Sequence, residues 1–273
     1  MAAHLLKAGY KVAVWNRTTS KADPLKVLGA RVASTPGDAA SGAEAVFICV
    51  GDTPDVDAVL FGPEGIASGA CPGSLVVDCS TISPVSEENF AKHLAEKGIK
   101  YVDAPVTGGQ KGAIAGTLTF MAGGAPDDIE RLRPIFGNMG KKVVHCGSVG
   151  YGQRLKAVNQ LICGLHILAL GEGLGLANRL GLDLAAAREV LISGAAGSWA
   201  LDVYGDKIIH NDFTPGFALK WQAKDTRIAL EVAKSIGLNL PGLALVDARL
   251  REAMERGMGE DGSHSIYKLY GQE

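Results

Sequence analysis

A chain of 273 residues is long enough for one large or two medium domains. With 47% hydrophobic residues, 21% charged residues and a formal charge of −2, it has the balance of an ordinary soluble globular protein, and nothing in that balance points to nucleic acid or an anionic membrane as a partner. Its 36 glycines are scattered among apolar runs, which excludes a low-complexity repeat and suits an α/β protein with many tight turns.

The chain opens on a helical pattern that runs into an apolar strand, Lys11–Trp15, ending in Asn16-Arg17-Thr18. Further strands are predicted at Ala45–Val50, Ser74–Cys79, Lys100–Asp103, Thr117–Ala122 and Lys142–His145. Amphipathic helices such as Ser86–Glu96 and Asp127–Met139 lie between them. Strand–helix alternation of this kind predicts a parallel sheet with helices on its faces. A glycine-rich joint, Gly147–Gly152, ends this part of the chain, and no convincing strand follows it.

Beyond the joint, Leu155, Val158, Ile162, Leu165, Ala169, Leu176 and Leu180 keep helical spacing, so one long helix is predicted from Gln153 to about Leu180, with Gly181 as its stop. Leu184–Ser193, Trp199–His210, Trp221–Ile236 and Pro241–Arg256 are predicted as further helices, and the tail from Gly257 as polar and turn-like. The predicted architecture is α/β: a Rossmann-type dinucleotide-binding domain over residues 1–149, incomplete at its N-terminal side, then an all-helical domain over 150–273, with the long helix at the joint.

The five cysteines show no C-x-x-C spacing; Cys49, Cys79 and Cys163 lie in apolar runs and read as buried free thiols of a reducing compartment. The six histidines form no H-x-x-x-H pair, so no metal site is expected. The N-terminus shows no basic region followed by a long apolar run, and the apolar stretch at Leu161–Leu170 is interrupted by Gly164 and His166 and followed by Gly171 and Glu172. It falls short of the ~20 residues that a membrane span needs. A cytoplasmic protein is the expectation.

Several stretches can carry chemistry. At the end of a second strand of a dinucleotide fold, an acidic side chain meets the ribose hydroxyls and favours NAD. Here Asn16 is neutral, and Arg17 can pair with a 2′-phosphate, so in a dinucleotide fold the stretch Asn16-Arg17-Thr18 favours NADP over NAD, although a plain polar turn after a strand has the same appearance. In Val102–Gly124, Thr107-Gly108-Gly109 offers a hydroxyl and unobstructed backbone N–H groups for a carboxylate, although a plain glycine-rich connection has the same appearance. On the long helix Lys156, Asn159 and Gln160 lie at i, i+3 and i+4. Among apolar neighbours Lys156 would lose proton affinity and become usable as an acid or base; a surface lysine beside two amides is the alternative. Lys224 and Asp225 interrupt an apolar helix face, one turn after Lys220, which an exposed face also explains. Finally, Asp78-Cys79-Ser80-Thr81 ends a strand where the nicotinamide or its ribose would lie, with Ser83 a competing cap for the next helix.

Taken together, "WNRT", "VDCSTISP", "DAPVTGGQKGAIAGTL", "KAVNQ", "GSWAL" and "FTPGFALKWQAKD" resemble the β-hydroxyacid dehydrogenase family, in order and spacing, over essentially the whole chain. The resemblance implies hydride transfer between a nicotinamide and a small 3-hydroxy acid or semialdehyde acid of the tartronate semialdehyde, glyoxylate, succinic semialdehyde or 3-hydroxyisobutyrate type. It places the catalytic lysine on Lys156, the substrate carboxylate on Thr107, Gly108 and Gly109, and an active-site lysine, assigned to the cofactor, on Lys224. Gln160 stands where many members carry Asn, and Asn159 is a further pocket candidate. Asn16, Arg17, Thr18 and Thr81 are the remaining cofactor candidates, with NADP(H) favoured and NAD possible. The resemblance also puts Lys156 at a cleft between the domains.

Members of the family begin with a strand and a G-x-G-x-x-G turn that this sequence starts beyond, so the expectation is that Met1 is an internal methionine. The competing expectation is a non-catalytic relative that oligomerises or serves as a scaffold. The apolar helices after Gly181 point to a homo-oligomer, a dimer or tetramer.

Overall fold

The computed structural model describes residues 1–271. It divides into two compact units, with the division after Lys156. In the N-terminal unit the strands are β1 (Ala13–Val14), β2 (Arg31–Val32), β3 (Ala45–Ile48), β4 (Leu75–Asp78), β5 (Lys100–Asp103), β6 (Val106–Thr107), β7 (Leu118–Gly123) and β8 (Gly140–Gly147). The helices of this unit are α1 (Ala2–Lys7), α2 (Asp23–Val27), α3 (Pro36–Ala40), α4 (Thr53–Phe61), α5 (Ile66–Gly69), α6 (Pro84–Ala95), α7 (Gly109–Ala115) and α8 (Pro126–Phe136). Helix α9 (Tyr151–Arg179) begins in this unit and continues through the division.

The sheet follows from the apolar runs. Strand β4 is buried at every residue, as a continuous Leu-Val-Val run inside a two-faced sheet must be. Its alternate residues feed two cores: Leu75 and Val77 pack with Phe120, Leu132 and Phe136, and Val76 packs with Leu60, Ile82 and Leu94. Strands β3, β4 and β5 are parallel in register, Val46 to Val76 to Tyr101. The all-parallel expectation then fails. β7 runs antiparallel to β5 and β6, and only β8 is parallel to β7. Two residues separate β5 from β6, and the link from β6 to β7 holds only the seven-residue α7, too little chain for a parallel crossover. β1 and β2 pair with each other in a separate parallel ribbon, and among the described residues no strand joins that ribbon to β3.

In the C-terminal unit the helices after α9 are α10 (Leu184–Ser193), α11 (Trp199–Ile209), α12 (Leu219–Ser235), α13 (Pro241–Glu255) and α14 (Lys268–Gly271). Leu174, Leu219, Leu243 and Leu250 form its core. The tail is not the exposed turn its polarity suggests. Ser263–Tyr267 forms a buried 3-10 turn, with the His264 ring stacked at 4.7 Å on Tyr204 and at 5.6 Å on Phe213. Backbone partners make this possible, since Gly262 N donates to Phe213 O and Ser263 N to Phe217 O.

Two other expectations are corrected. Cys49 is exposed at the end of β3 and Cys163 is half-buried, and only Cys79 is a buried thiol of the expected kind. Helix α9, at 29 residues, is long and apolar enough to cross a membrane by length and composition. Its apolar stretch is half buried inside the protein, and Gln153, Lys156 and Gln160 are buried polar residues on the same helix, as befits a core helix.

Candidate active site

The site residues of the N-terminal unit sit on loops at strand ends. Beyond β1, the Asn16 side chain accepts from Thr18 N across 2.9 Å, a local turn that leaves Arg17 pointing outward with 84% of its side chain exposed. Its guanidinium pairs with Asp55 at 3.2 Å. Asp55 also accepts from Asp52 N in the capping box that starts α4. The end of β1 thus presents an exposed arginine beside a neutral Asn.

Beyond β4, the Asp78 carboxylate accepts from Ser80 N at 2.8 Å, and Ser80 Oγ accepts from Val50 N, so the loop carrying the half-buried Thr81 is held to the end of β3. Ser83 occupies the N-cap position of α6, yet its side chain makes no capping bond; Pro84 at the first turn serves as the start.

Beyond β5 lies the best-organised part of the unit. Asp103 has no solvent exposure, and its two carboxylate oxygens accept from Gly150 N at 2.8 Å and Gln153 N at 2.9 Å. Burial pushes its carboxyl up to about 7 against the pull of those N–H groups. The Gln153 carboxamide donates to Ser80 O (2.9 Å) and Glu87 Oε1 (2.6 Å), and Tyr101 Oη donates to the other Glu87 oxygen. Glu87 is raised well above the usual carboxylate range by burial and by the neighbouring Asp78 and Asp103. The first turn of α9 is thereby fastened to the ends of β4 and β5. One turn further on, buried Lys156 donates from Nζ to Val106 O at 2.9 Å.

Val106 belongs to β6, so Thr107 is a strand residue paired with Thr119 of β7, not part of a free loop. Gly108 (φ 122°) and Gly109 (φ 60°) then take left-handed backbone that side chains disfavour. Nothing lies within 4 Å of where a Gly109 Cβ would be, so the turn presents open backbone.

The C-terminal unit holds the remaining candidates in one chain of contacts. Asn159 Nδ2 donates to Gln160 Oε1 (2.7 Å), and Gln160 Nε2 donates to Asp225 Oδ2 (2.6 Å). The other Asp225 oxygen pairs with Lys224 Nζ at 3.0 Å. Lys224 and Asp225 keep only 11% and 2% side-chain exposure, so this is no solvated helix face. Lys220, one turn earlier, pairs instead with Glu260. Gln153 and Glu87 escape sequence reasoning because their roles are tertiary.

Residues 1–147 match the family model of the NAD-binding domain of 6-phosphogluconate dehydrogenase, and residues 150–270 match that of the NAD-binding domain of NADP-dependent 3-hydroxyisobutyrate dehydrogenase. The chain is 42% identical to a probable 3-hydroxyisobutyrate dehydrogenase-like protein of Arabidopsis thaliana, over 97% of this chain and 80% of that one. It is 40% identical to the 2-hydroxy-3-oxopropionate reductase of Escherichia coli, over 89% and 83%. The crystal structure of a 3-hydroxyisobutyrate dehydrogenase from Salmonella typhimurium superposes with a TM-score of 0.92 at 28% identity, covering 98% of this chain and 94% of that one.

Fold and matches together define a nicotinamide-dinucleotide-dependent oxidoreductase. Within that class the chain belongs to the β-hydroxyacid dehydrogenase family.

Proposed function

We propose that the protein reduces small semialdehyde acids with NADPH, and runs the reverse oxidation of the 3-hydroxy acid. The observation that carries this reading is the buried Lys156 ammonium, held 2.9 Å from Val106 O and next in chain to the Thr107-Gly108-Gly109 turn. In the reduction, Lys156 Nζ gives its proton to the forming alkoxide; in the oxidation it accepts the hydroxyl proton. General acid–base help of this kind is worth ~10²–10⁴ in rate. Thr107 Oγ1 and the backbone N–H groups of Gly108 and Gly109 bind the substrate carboxylate and orient the carbonyl. Asn159 and Gln160 are further candidates for binding the substrate, and Gln160 is oriented by Asp225.

Asn16, Arg17 and Thr18 hold the adenosine end of the cofactor, Thr81 lies on the strand-end loop proposed for its nicotinamide end, and Lys224 is a further cofactor candidate. When bound, the nicotinamide supplies the hydride equivalent. The preference for NADP rests on Arg17 and on the absence of an acidic residue at position 16. The enzyme is proposed to work in the cytoplasm as a homo-oligomer: Val158, Ile162 and Leu165 form an exposed apolar stripe on α9 that a second copy would cover. The testing experiment is NADPH and NADH oxidation followed with tartronate semialdehyde, succinic semialdehyde and glyoxylate. Turnover of at least one with NADPH preferred upholds the proposal. No turnover and no NADPH binding would favour the non-catalytic reading instead.

A further inference from the structure

The acid that delivers a proton must be held where the alkoxide forms, and Lys156 lies six residues into a 29-residue helix. What fixes the start of that helix fixes the lysine. Asp103 is the last residue of β5, and Val106, the acceptor for Lys156, is three residues further on. The chain therefore makes two ties between the same pair of segments. Asp103 accepts from the backbone of Gly150 and Gln153, and Lys156 donates back to Val106.

The space around Asp103 is cut to its carboxylate. A Cβ at Gly123 would stand 2.3 Å from its Oδ1, and one at Gly152 would stand 2.7 Å from its Oδ2. Gly150, whose N–H is one of the two donors, has φ +88°. Glycine at all three places lets the helix start approach the strand end this closely.

We propose that Asp103 is a positioning residue for Lys156: its carboxylate seats the first turn of α9 on the end of β5 and so sets where the Lys156 ammonium lies beside the Val106–Gly109 segment. The inference rests on Lys156 being the general acid, and it adds that the carboxylate two segments away determines that acid's placement. Capping alone would need one N–H acceptor at the helix start; here both oxygens are engaged, three residues apart, which fixes the rotation of the helix as well as its entry.

Asp103→Asn keeps the shape and replaces one acceptor oxygen by an NH2 group that faces a backbone N–H. Two readouts are taken on the folded variant. The first is kcat against KM for NADPH. The second is acetylation of Lys156 by acetic anhydride, quantified by mass spectrometry against exposed Lys111. The expected result is a 10- to 100-fold fall in kcat with KM for NADPH within twofold of wild type, and at least a fivefold rise in the Lys156:Lys111 acetylation ratio. A folded variant with wild-type kcat and ratio overturns the proposal. Raised acetylation in a protein that turns over no semialdehyde acid upholds the seat and overturns the reductase reading. Should Asp103→Asn not fold, Gly150→Ala strains the same bond from the donor side. The same two readouts on it then decide: unchanged kcat and unchanged acetylation overturn the proposal.

Discussion

Lys156 Nζ donates to the carbonyl of Val106 across 2.9 Å, from helix α9 to strand β6, in a position with almost no solvent exposure. Val106 is followed directly by Thr107 and the left-handed Gly108-Gly109 backbone. The proposed proton donor is thereby tied to the segment proposed to bind the substrate carboxylate.

Arg17 sets the prediction for cofactor choice. It is exposed and pairs only at the surface with Asp55, so removing it leaves the fold intact. Arg17→Ala is expected to lower kcat/KM for NADPH by ~10-fold, the value of one charge-assisted hydrogen bond of roughly 1.5 kcal/mol, and to leave the value for NADH within twofold. Steady-state kinetics with both cofactors at one ionic strength measure it.

Gly109 has φ 60° and empty space where a side chain would begin. Gly109→Ala is therefore expected to act through backbone strain alone, costing about 1 kcal/mol of stability. KM for the acid substrate should rise several-fold while KM for NADPH stays constant. Chemical denaturation and a substrate titration check the two halves separately.

Ile266 is completely buried in the tail turn that packs against the C-terminal core. Ile266→Ala is expected to cost 2–5 kcal/mol. A variant whose urea midpoint is unchanged would mean that the tail is dispensable to that core.

Asp103 predicts a pH dependence of stability. Burial moves its carboxyl from the ordinary 3.8 to about 7, with Asp78 on β4 adding to the effect. Glu87 on α6 and Cys146 on β8 face the same charge, and both are themselves raised. Between pH ~4 and ~7 the folded protein keeps a proton that the unfolded chain has released. The stabilising contribution is thus complete below pH ~4 and is lost as pH rises through 7. The swing is up to about 4 kcal/mol, at ~1.4 kcal/mol per tenfold change in proton affinity. Melting temperatures from pH 4.5 to 8 should show wild type losing stability relative to Asp103→Asn as pH rises.

Much of this architecture is legible in the residue order. Strands β3 and β4 announce themselves as apolar runs, β4 being buried at every residue, while β5 shows only the Tyr101-Val102 pair between Lys100 and Asp103. Helix α9 is visible as an uninterrupted stripe. The two-residue strands β2 and β6 are too short to show alternation, and placing Thr107 in a strand requires knowing that β7 lies beside it. Polarity misleads at Ser263, His264 and Ser265, all buried: the Ser263 and Ser265 N–H groups donate to Phe217 O and Gly262 O, and the His264 ring stacks on Tyr204 and donates from Nε2 to Asp212 O. Lys156 can be singled out from its apolar surroundings. Its fastening cannot, because Asp103, Gly150 and Gln153 meet only once the chain has folded, about 50 residues apart in sequence.

The central claim is that Lys156 is the proton donor of a nicotinamide-dependent reduction. The most direct measurement is kcat for NADPH oxidation with the preferred semialdehyde acid, taken for wild type and Lys156→Ala beside the NADPH dissociation constant of each. A fall of ~10²–10⁴ in kcat at unchanged NADPH affinity is the predicted result. A variant that keeps wild-type kcat would contradict it.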